Sequence, residues 1–460
     1  MNGFDVSANE LIKINEKFFE TALKNKRFEN KEIIPLIDNL DSRFTVTELG
    51  KSINGKSIRL IKVGNGKTKV LLWSQMHGDE PTATMAFFDF FNFLSSTEDN
   101  KISNIILNDL TLYFIPMVNP DGAEKIDRRN AAGIDLNRDY QRLQSPESAL
   151  LKKFALEIMP DFAFNMHDQD FRWSVGNTGN LAALSFLASV CDDKKTVNEN
   201  RAEAIKLINL LYSDAQTVIP DCTARYLDDF EPRSFGDNFS NYFPTILIES
   251  GRYKNDINKT FTRKLTFALM VKAFIYIAQN SYKNVDIEPY YLIPTNGKFL
   301  YDLILRNLSF TINGHNLILD VCINREEFYA KNERIPYLKS TIEEIGDGRY
   351  FQGIEEVNCE GLNLITENLT VEIDSLERLN EQDIFELLKS GKLFLKTIYY
   401  KPYLNKPINI ITKSYNNIFD LHNPANFLIK NGDEIKYIVL NGMITEPNNL
   451  KNLQINGLVF

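Results

Sequence analysis

Residues 69–94 read KVLLWSQMHGDEPTATMAFFDFFNFL, and this stretch decides the fold of the first part of the chain. The apolar run Lys69–Gln75 has the length and composition of a buried strand. A helix with a phenylalanine-rich face follows over Pro81–Leu94, since proline favours the first helical position. Gly78 allows the backbone to turn tightly between the two. The stretch therefore predicts a strand, a sharp turn and a helix in direct succession, the repeating unit of an α/β protein.

The same alternation continues on the C-terminal side of this stretch. Further buried strands and helices are predicted in turn: strands over Leu110–Val118, Phe162–Met166 and Thr245–Ile248, and helices over about 146–158, 201–217 and 259–280. Strands separated by helices predict a mixed, largely parallel sheet flanked by helices. In such folds, chemistry is expected at the carboxyl ends of the strands.

The pattern changes after residue 283. Short strands separated by Asn-Gly turns replace the helical periodicity: Phe299–Leu305, Ser309–Ile312, Asn316–Ile323, Phe394–Tyr399 and Ile435–Leu440, with turns at Asn296-Gly297, Asn313-Gly314, Asn431-Gly432 and Asn441-Gly442. We therefore predict two domains, an α/β domain over 1–283 and a β-rich accessory domain over 290–460. Two segments of the second, Leu303–Asn313 and Asn423–Met443, resemble the β-sandwich that flanks the barrel of amidohydrolases. A β-sandwich-like domain is expected there.

Composition excludes several classes of function. Of 460 residues, 61 are acidic and 52 basic, a formal net charge of −9, which disfavours a nucleic-acid-binding protein. We see no run near the ~18 apolar residues that a membrane span needs, and Met1–Glu10 does not resemble a signal peptide. The four cysteines are far apart and lack metal-ligand spacing, so they are expected to be buried thiols. A cytoplasmic location is the expectation.

Two of the four histidines follow predicted buried strands. His77 begins the sequence His-Gly-Asp-Glu, which ends at Glu80 in the turn before the first helix, and His167 ends a different strand. Two imidazoles and one carboxylate, with a fourth position left to water, form the ligand set of a catalytic zinc site. We predict one Zn²⁺ per chain. The other two, His315 and His422, are interpreted as turn or surface residues.

Several motifs around these residues occur in a characteristic order. Asn-Pro-Asp-Gly at Asn119–Gly122 precedes RRNAAGIDLNR at Arg128–Arg138, and ILIESG at Ile246–Gly251 follows His167. Together with the His77/Glu80 pair, they resemble the zinc carboxypeptidase superfamily, the carboxypeptidase A-like metallopeptidases. The resemblance covers about residues 40–280.

The resemblance implies a role for each matching residue. The zinc ligands would be His77, Glu80 and His167, and Asp135 would orient a ligand histidine through its second ring nitrogen. Glu249 would be the general base that takes a proton from a zinc-bound water, unless it instead pairs with Arg252. Arg128 would stabilise the oxyanion. Arg129 is the adjacent alternative, but a spacing of nine residues from Asn137 matches the family at Arg128.

The remaining matches concern the substrate. Asn137 and Arg138 would grip a terminal carboxylate, because a guanidinium pairs bidentately with a carboxylate. Tyr226 is the nearest match to the tyrosine that closes over bound substrate, although an exposed loop aromatic is an equal alternative. Arg233 would favour an acidic substrate side chain if it pointed into the pocket. An outward-facing Arg233 paired with Glu231 or Asp237 is the competing interpretation.

The sequence therefore predicts a zinc-dependent metallocarboxypeptidase that hydrolyses the C-terminal residue of a peptide. An N-acyl amino acid deacylase or a cell-wall peptide amidase would use the same site, because these substrates also present a free carboxylate. A binding protein without turnover is a third hypothesis. It is disfavoured because the ligands, the base and the arginines of the motif are all present.

Overall fold

The computed structural model describes residues 4–96, 100–169, 172–329, 336–374, 376–398, 406–413, 415–450 and 457–459. The chain divides into two compact units, Met1–Lys298 and Phe299–Phe460. No helix in the described ranges is both long enough and apolar enough to cross a membrane.

The first unit alternates strands and helices. Its strands are β1 (Phe44–Lys51), β2 (Ser57–Val63), β3 (Thr68–Trp73), β4 (Leu110–Ile115), β5 (Phe162–Asp168), β6 (Ser174–Val175), β7 (Leu184–Ala188), β8 (Thr223–Arg225), β9 (Thr245–Ser250) and β10 (Asn296–Gly297). Its α-helices are α1 (Ala8–Phe18), α2 (Asn30–Asp38), α3 (Thr82–Ser95), α4 (Lys101–Asp109), α5 (Pro120–Lys125), α6 (Pro146–Ile158), α7 (Glu199–Val218), α8 (Phe235–Phe239), α9 (Thr260–Ala278) and α10 (Glu288–Leu292). Short 3₁₀ helices cover Thr21–Leu23, Leu136–Arg138 and Ser281–Asn284.

Eight of these strands form one sheet in the order β1-β2-β4-β3-β5-β9-β7-β8. The central strands β4, β3, β5 and β9 run parallel, whereas β1, β2 and β7 pair antiparallel with their neighbours on the inner side. The mixed, largely parallel sheet predicted from the sequence is confirmed. Because β3, β5 and β9 are parallel neighbours, their carboxyl ends meet at one edge of the sheet.

Helix α3 is buried on all sides, not only on one phenylalanine-rich face. Every residue from Thr82 to Leu94 is buried except Asn92, as expected for a helix enclosed by other elements. Phe90 lies 5.8 Å, ring centre to ring centre, from Phe114 of β4 and 5.2 Å from Phe274 of α9. The helix that begins beside His77 is therefore fixed between the sheet and α9.

One buried ion pair connects α3 to α9 and to the N-terminal segment. The side chains of Asp89 and Arg263 are 0% and 1% exposed and form two hydrogen bonds with each other. Asp89 also accepts hydrogen bonds from the Asn15 side chain and the Glu20 amide, at 3.0 and 2.7 Å. Arg263 donates to the Leu23 carbonyl at 2.6 Å. The remaining donors and acceptors of a buried charge pair are thus satisfied, which such a pair requires.

The second unit is β-rich. Its elements are β11 (Leu300–Ile312), β12 (His315–Tyr329), β13 (Pro336–Gly346), β14 (Gln352–Asn358), β15 (Asn363–Ile365), β16 (Thr370–Glu372), β17 (Phe394–Lys396), β18 (Asn409–Ile411), β19 (Phe427–Asn431), β20 (Glu434–Leu440), β21 (Met443–Thr445), a 3₁₀ turn at Leu376–Arg378 and helix α11 (Glu381–Lys389). A largely antiparallel sheet has the order β13-β12-β11-β15-β19-β20-β21, with β14 also paired to β11, and β16, β17 and β18 form a small parallel sheet. The predicted C-terminal β region is confirmed.

Both faces of this larger sheet are covered. Leu303 and Val321, from the neighbouring strands β11 and β12, share one core with Val439 of β20. On the opposite face Leu428 and Ile438 pack with the core formed by α11 and the small sheet. Successive residues of β19 and β20 thus point to opposite cores, as strand geometry requires.

The Asn-Gly signals were correct at most positions and wrong at one. Asn313-Gly314 and Asn441-Gly442 form two-residue turns with positive φ at both residues, between β11 and β12 and between β20 and β21. Asn296-Gly297 is instead strand β10, paired with β6. The end of the predicted strand Phe394–Tyr399 lies outside the described residues.

The Asp89→Ala variant is expected to lower the free energy of unfolding of the first unit by about 3–5 kcal/mol, because it leaves a buried, unpaired Arg263. Urea denaturation monitored by circular dichroism measures this. The matched control is Asp41→Ala, whose ion pair with Arg43 is more than one third exposed and should contribute less than about 1 kcal/mol. Equal shifts for the two variants would show that the buried pair is not essential.

Candidate metal centre

Three side chains that could hold a metal ion meet at the carboxyl edge of the sheet. His77 and Glu80 lie in the turn between β3 and α3, and His167 lies near the end of β5. Their ligand atoms all lie within 4.8 Å of one another. Glu80 Oε1 is 2.8 Å from His77 Nδ1, Glu80 Oε2 is 2.7 Å from His167 Nδ1, and the two Nδ1 atoms are 3.1 Å apart. The structure therefore brings together the three ligands predicted from the sequence.

The turn that carries two of these ligands depends on close backbone packing. A Cβ atom on Gly78 would lie 2.1 Å from the Gly122 carbonyl carbon, so no larger residue fits. Gly122 belongs to the Asn-Pro-Asp-Gly motif, whose Asn119 side chain accepts a hydrogen bond from the Gly122 amide. The motif thus packs against the turn that carries His77 and Glu80. This close packing explains why position 78 is a glycine.

Asp135 determines which nitrogen of His77 is free. Asp135 Oδ1 lies 3.1 Å from His77 Nε2, and because a carboxylate only accepts, the ring proton belongs on Nε2 and the Nδ1 lone pair faces the metal position. Burial opposes ionisation of Asp135, but the His77 hydrogen bond and the Arg128 charge outweigh it and hold the pKa of Asp135 well below its ordinary value.

Arg128, and not Arg129, faces the ligands. Arg128 Nη1 lies 3.1 Å from His77 Nδ1 and 3.4 Å from Glu80 Oε1, and its Nε donates to Asp135 Oδ2 at 3.0 Å. Arg129 donates to the Gly133 carbonyl. The structure thus places a partly exposed guanidinium beside the candidate ligand atoms of His77 and Glu80.

Glu249 lies on the strand next to His167. In the parallel pairing of β5 and β9, Glu249 is the direct partner of His167. Within the described residues its carboxylate has no hydrogen-bond or ion-pair partner, so the alternative pairing with Arg252 is not observed. Burial, and then the charge of Glu80, raise the pKa of Glu249 well above its ordinary value.

Asn137 lies beside His167, and Arg138 directly follows it in the chain. Asn137 Oδ1 accepts a hydrogen bond from the Phe235 amide at 3.0 Å, and its Nδ2 is 3.4 Å from His167 Nε2. Arg138 Nη1 donates to the Asn137 carbonyl at 2.7 Å, and its Nε is 3.2 Å from Glu231 Oε2. Sequence reasoning missed the Arg138–Glu231 contact, because no spacing rule links two loop residues so far apart.

The structure also places Tyr226 and Arg233. Tyr226 follows β8, with its ring centre 5.7 Å from that of Trp173. Burial, and then the charges of Glu249 and Glu80, raise the pKa of Tyr226 above its ordinary value. Arg233 is exposed and bound to Glu231 through Nε and Nη2, at 2.8 and 2.7 Å. Of the two interpretations of Arg233, the outward-facing one agrees with these contacts.

Comparison with known proteins identifies similar sequences and folds. The family described as Zinc carboxypeptidase (Peptidase M14) matches residues 33–154. Carboxypeptidase E of Caenorhabditis elegans is 30% identical over 22% of this chain and 26% of its own length. Carboxypeptidase SOL1 of Arabidopsis thaliana is 27% identical over 20% of each chain. The match therefore spans only about a quarter of these relatives or less.

Two solved structures are similar to part of this chain at low sequence identity. The metallo-carboxypeptidase of Burkholderia cenocepacia is 17% identical, with a TM-score of 0.46 over 56% of this chain and 71% of that chain. The metallo-carboxypeptidase of Pseudomonas aeruginosa is also 17% identical, with a TM-score of 0.43 over 55% and 70%. The family match covers His77, Glu80 and the Arg128–Arg138 motif, and it confirms the resemblance predicted from the sequence.

Replacement of one ligand should remove the metal. Wild-type protein loaded with zinc and dialysed is expected to hold about one Zn²⁺ per chain, and His167→Ala much less, since a three-ligand site loses one of its donors. Inductively coupled plasma mass spectrometry measures the content. His315→Ala is the control, because His315 is exposed at a hairpin turn. Undiminished zinc in His167→Ala would contradict the assignment.

Proposed function

We propose that this chain, a member of the zinc carboxypeptidase family, is a metallocarboxypeptidase that hydrolyses the C-terminal residue of a peptide. The proposal rests on one observation: the imidazoles of His77 and His167 and the Glu80 carboxylate lie together, and Glu249 lies on the strand next to that of His167. Each group has the chemical character that its role in this reaction requires.

The donor set suits Zn²⁺. His77 and His167 each present Nδ1, and Glu80 presents both carboxylate oxygens. Two imidazoles and one carboxylate leave a fourth tetrahedral position for water or substrate, as in catalytic zinc sites. Zinc bound there would lower the pKa of water and polarise the carbonyl of the scissile bond. We propose one Zn²⁺ per chain.

Glu249 is the proposed general base. It takes a proton from the attacking water and then delivers that proton to the nitrogen of the leaving amine. Two features support this role: the carboxylate has no partner within the described residues, and its surroundings raise its pKa. A carboxylate in these conditions accepts and releases a proton more readily than one held in an ion pair.

Arg128 is the proposed stabiliser of the oxyanion. Its Nη1 lies near the metal-ligand atoms of both His77 and Glu80, and its Nε is fixed by Asp135. A guanidinium that is positioned before the reaction stabilises negative charge that develops on a carbonyl oxygen. The Asp135 hydrogen bond limits its movement.

Asn137 and Arg138 are proposed to bind the terminal carboxylate of the substrate. Arg138 Nη1 and Nε are engaged by the Asn137 carbonyl and by Glu231, which fixes the plane of the guanidinium. Among the described residues, Nη2 of Arg138 has no hydrogen-bond partner. Tyr226, in the loop that follows β8, is proposed to lie over bound substrate. A peptide or N-acyl amino acid with a free carboxylate meets these requirements.

The Glu249→Gln variant should keep its zinc and lose turnover. We expect kcat to fall by about 10²- to 10⁴-fold, because the amide cannot accept the proton. Peptide hydrolysis followed by chromatography, with zinc content measured in parallel, tests this. The control is Glu157→Gln, an exposed glutamate of α6. Near wild-type kcat in zinc-loaded Glu249→Gln would exclude Glu249 as the base.

The Arg138→Gln variant tests the carboxylate site separately. For a peptide with a free carboxyl terminus, kcat/KM should fall by about 10- to 100-fold, mainly through KM, since a charge-assisted hydrogen bond is lost. The C-terminally amidated form of the peptide should be affected far less. Arg129→Gln, whose guanidinium points to Gly133, is the matched control. An equal loss for acid and amide would contradict the assignment.

A further inference from the structure

Lys259 lies at the start of helix α9, where a lysine is not expected to stabilise the helix. It immediately precedes α9, has a left-handed backbone with φ of 57°, and makes no side-chain cap hydrogen bond. A cation at the N-terminus of a helix is disfavoured by the helix dipole. Its side chain is nevertheless only 14% exposed. Some other contact must therefore stabilise it.

That contact is the carboxyl end of β9. Lys259 Nζ donates to the carbonyls of Ser250 and Gly251, at 2.8 and 2.9 Å. These are the two residues directly after Glu249. Both are buried, and buried carbonyls require a donor. The ammonium group thus fixes the backbone that carries Glu249.

The same ammonium group faces the end of β5. Lys259 Nζ lies 3.8 Å from Asp168 Oδ2, and Asp168 directly follows His167. The Asp168 amide donates to Glu80 Oε2 at 3.2 Å, and Asp168 Oδ2 accepts from the Thr82 hydroxyl at 2.6 Å. Lys259 therefore connects the end of the strand bearing Glu249 to Asp168, which contacts Glu80 and directly follows His167.

The backbone after Glu249 is tightly enclosed on the other side as well. The Gln169 amide donates to the Ser250 carbonyl at 3.1 Å, and the Gly251 amide donates to the Ala183 carbonyl at 2.9 Å. A Cβ atom on Gly251 would lie 2.0 Å from the Ala182 carbonyl oxygen. The Lys259 ammonium adds two further hydrogen bonds to the same two residues.

We propose that Lys259 is a positioning residue that holds the Glu249 carboxylate in place relative to the His77, Glu80 and His167 centre. It acts through the Ser250 and Gly251 carbonyls and through Asp168, without touching the substrate. This inference rests on the proposed function of Glu249. Lysine is suited to this position because one ammonium group donates to both carbonyls while its positive charge faces the Asp168 carboxylate.

The first test compares Lys259→Met, Lys259→Arg and the control Lys264→Met, whose ammonium pairs with the exposed Glu16. In zinc-loaded Lys259→Met, kcat should fall by about 10- to 100-fold, the size of effect expected of a misplaced catalytic group, with KM within a few-fold of wild type and zinc content unchanged. Lys259→Arg should recover part of the kcat, because guanidinium also donates to two carbonyls. An unchanged kcat in Lys259→Met would overturn the inference.

The second test does not require turnover. Hydrogen–deuterium exchange measured by mass spectrometry on zinc-loaded protein should show faster exchange at the end of β9 in Lys259→Met, with α3 and α7 unchanged. Unchanged exchange at β9, or faster exchange throughout the first unit, would overturn the inference. If Lys259→Met shows this exchange response but wild-type protein hydrolyses no peptide, the proposed function fails while the structural coupling through Lys259 stands.

Discussion

The parallel pairing of β3, β5 and β9 is the constraint on which the candidate site depends. Three neighbouring parallel strands end at the same edge, so the turn with His77 and Glu80, the His167 strand end and Glu249 must meet there. The direct pairing of His167 with Glu249 fixes the register: a shift of one residue would turn one of these side chains to the opposite face of the sheet. The enclosed helix α3 is held by its buried phenylalanine rings and by the Asp89–Arg263 ion pair. It thereby stabilises the turn that carries His77 and Glu80.

Four ionisable side chains of the candidate site are buried: Glu80, His77, His167 and Asp135. Their opposite charges must therefore compensate one another. Burial opposes charge on Glu80, but His77 and His167 lower its pKa well below its ordinary value. Burial also favours neutral His77, yet the Glu80 charge and the Asp135 hydrogen bond raise the pKa of His77 to about 9. These shifts follow from the closeness of the Glu80 carboxylate to both imidazoles. Because a metal ligand must be deprotonated, metal affinity at this site should weaken as pH falls.

The sequence predicts the parts of this arrangement that follow local rules. A buried strand, a glycine turn and a helix place His77 and Glu80 at a strand end, and spacing within one motif distinguishes Arg128 from Arg129. Contacts between distant loops follow no such rule. Neither the Arg138–Glu231 pair nor the carbonyl contacts of Lys259 could be derived from spacing, because each depends on how loops fold over the sheet edge. At Asn296-Gly297 a local rule fails: the sequence predicts a turn, but these residues form strand β10 because they pair with β6.

The central claim is that a metal ion at His77, Glu80 and His167 and the base Glu249 together release C-terminal residues. The most direct measurement is hydrolysis by wild-type protein of blocked dipeptides and N-acyl amino acids, before chelation, after chelation and after zinc is restored. The account predicts release of the C-terminal residue from dipeptides with a free carboxylate, lost on chelation and recovered with zinc. Cleavage of N-acyl amino acids alone would indicate the deacylase alternative and contradict the peptidase assignment. Hydrolysis that is insensitive to chelation would contradict the metal-dependent account itself.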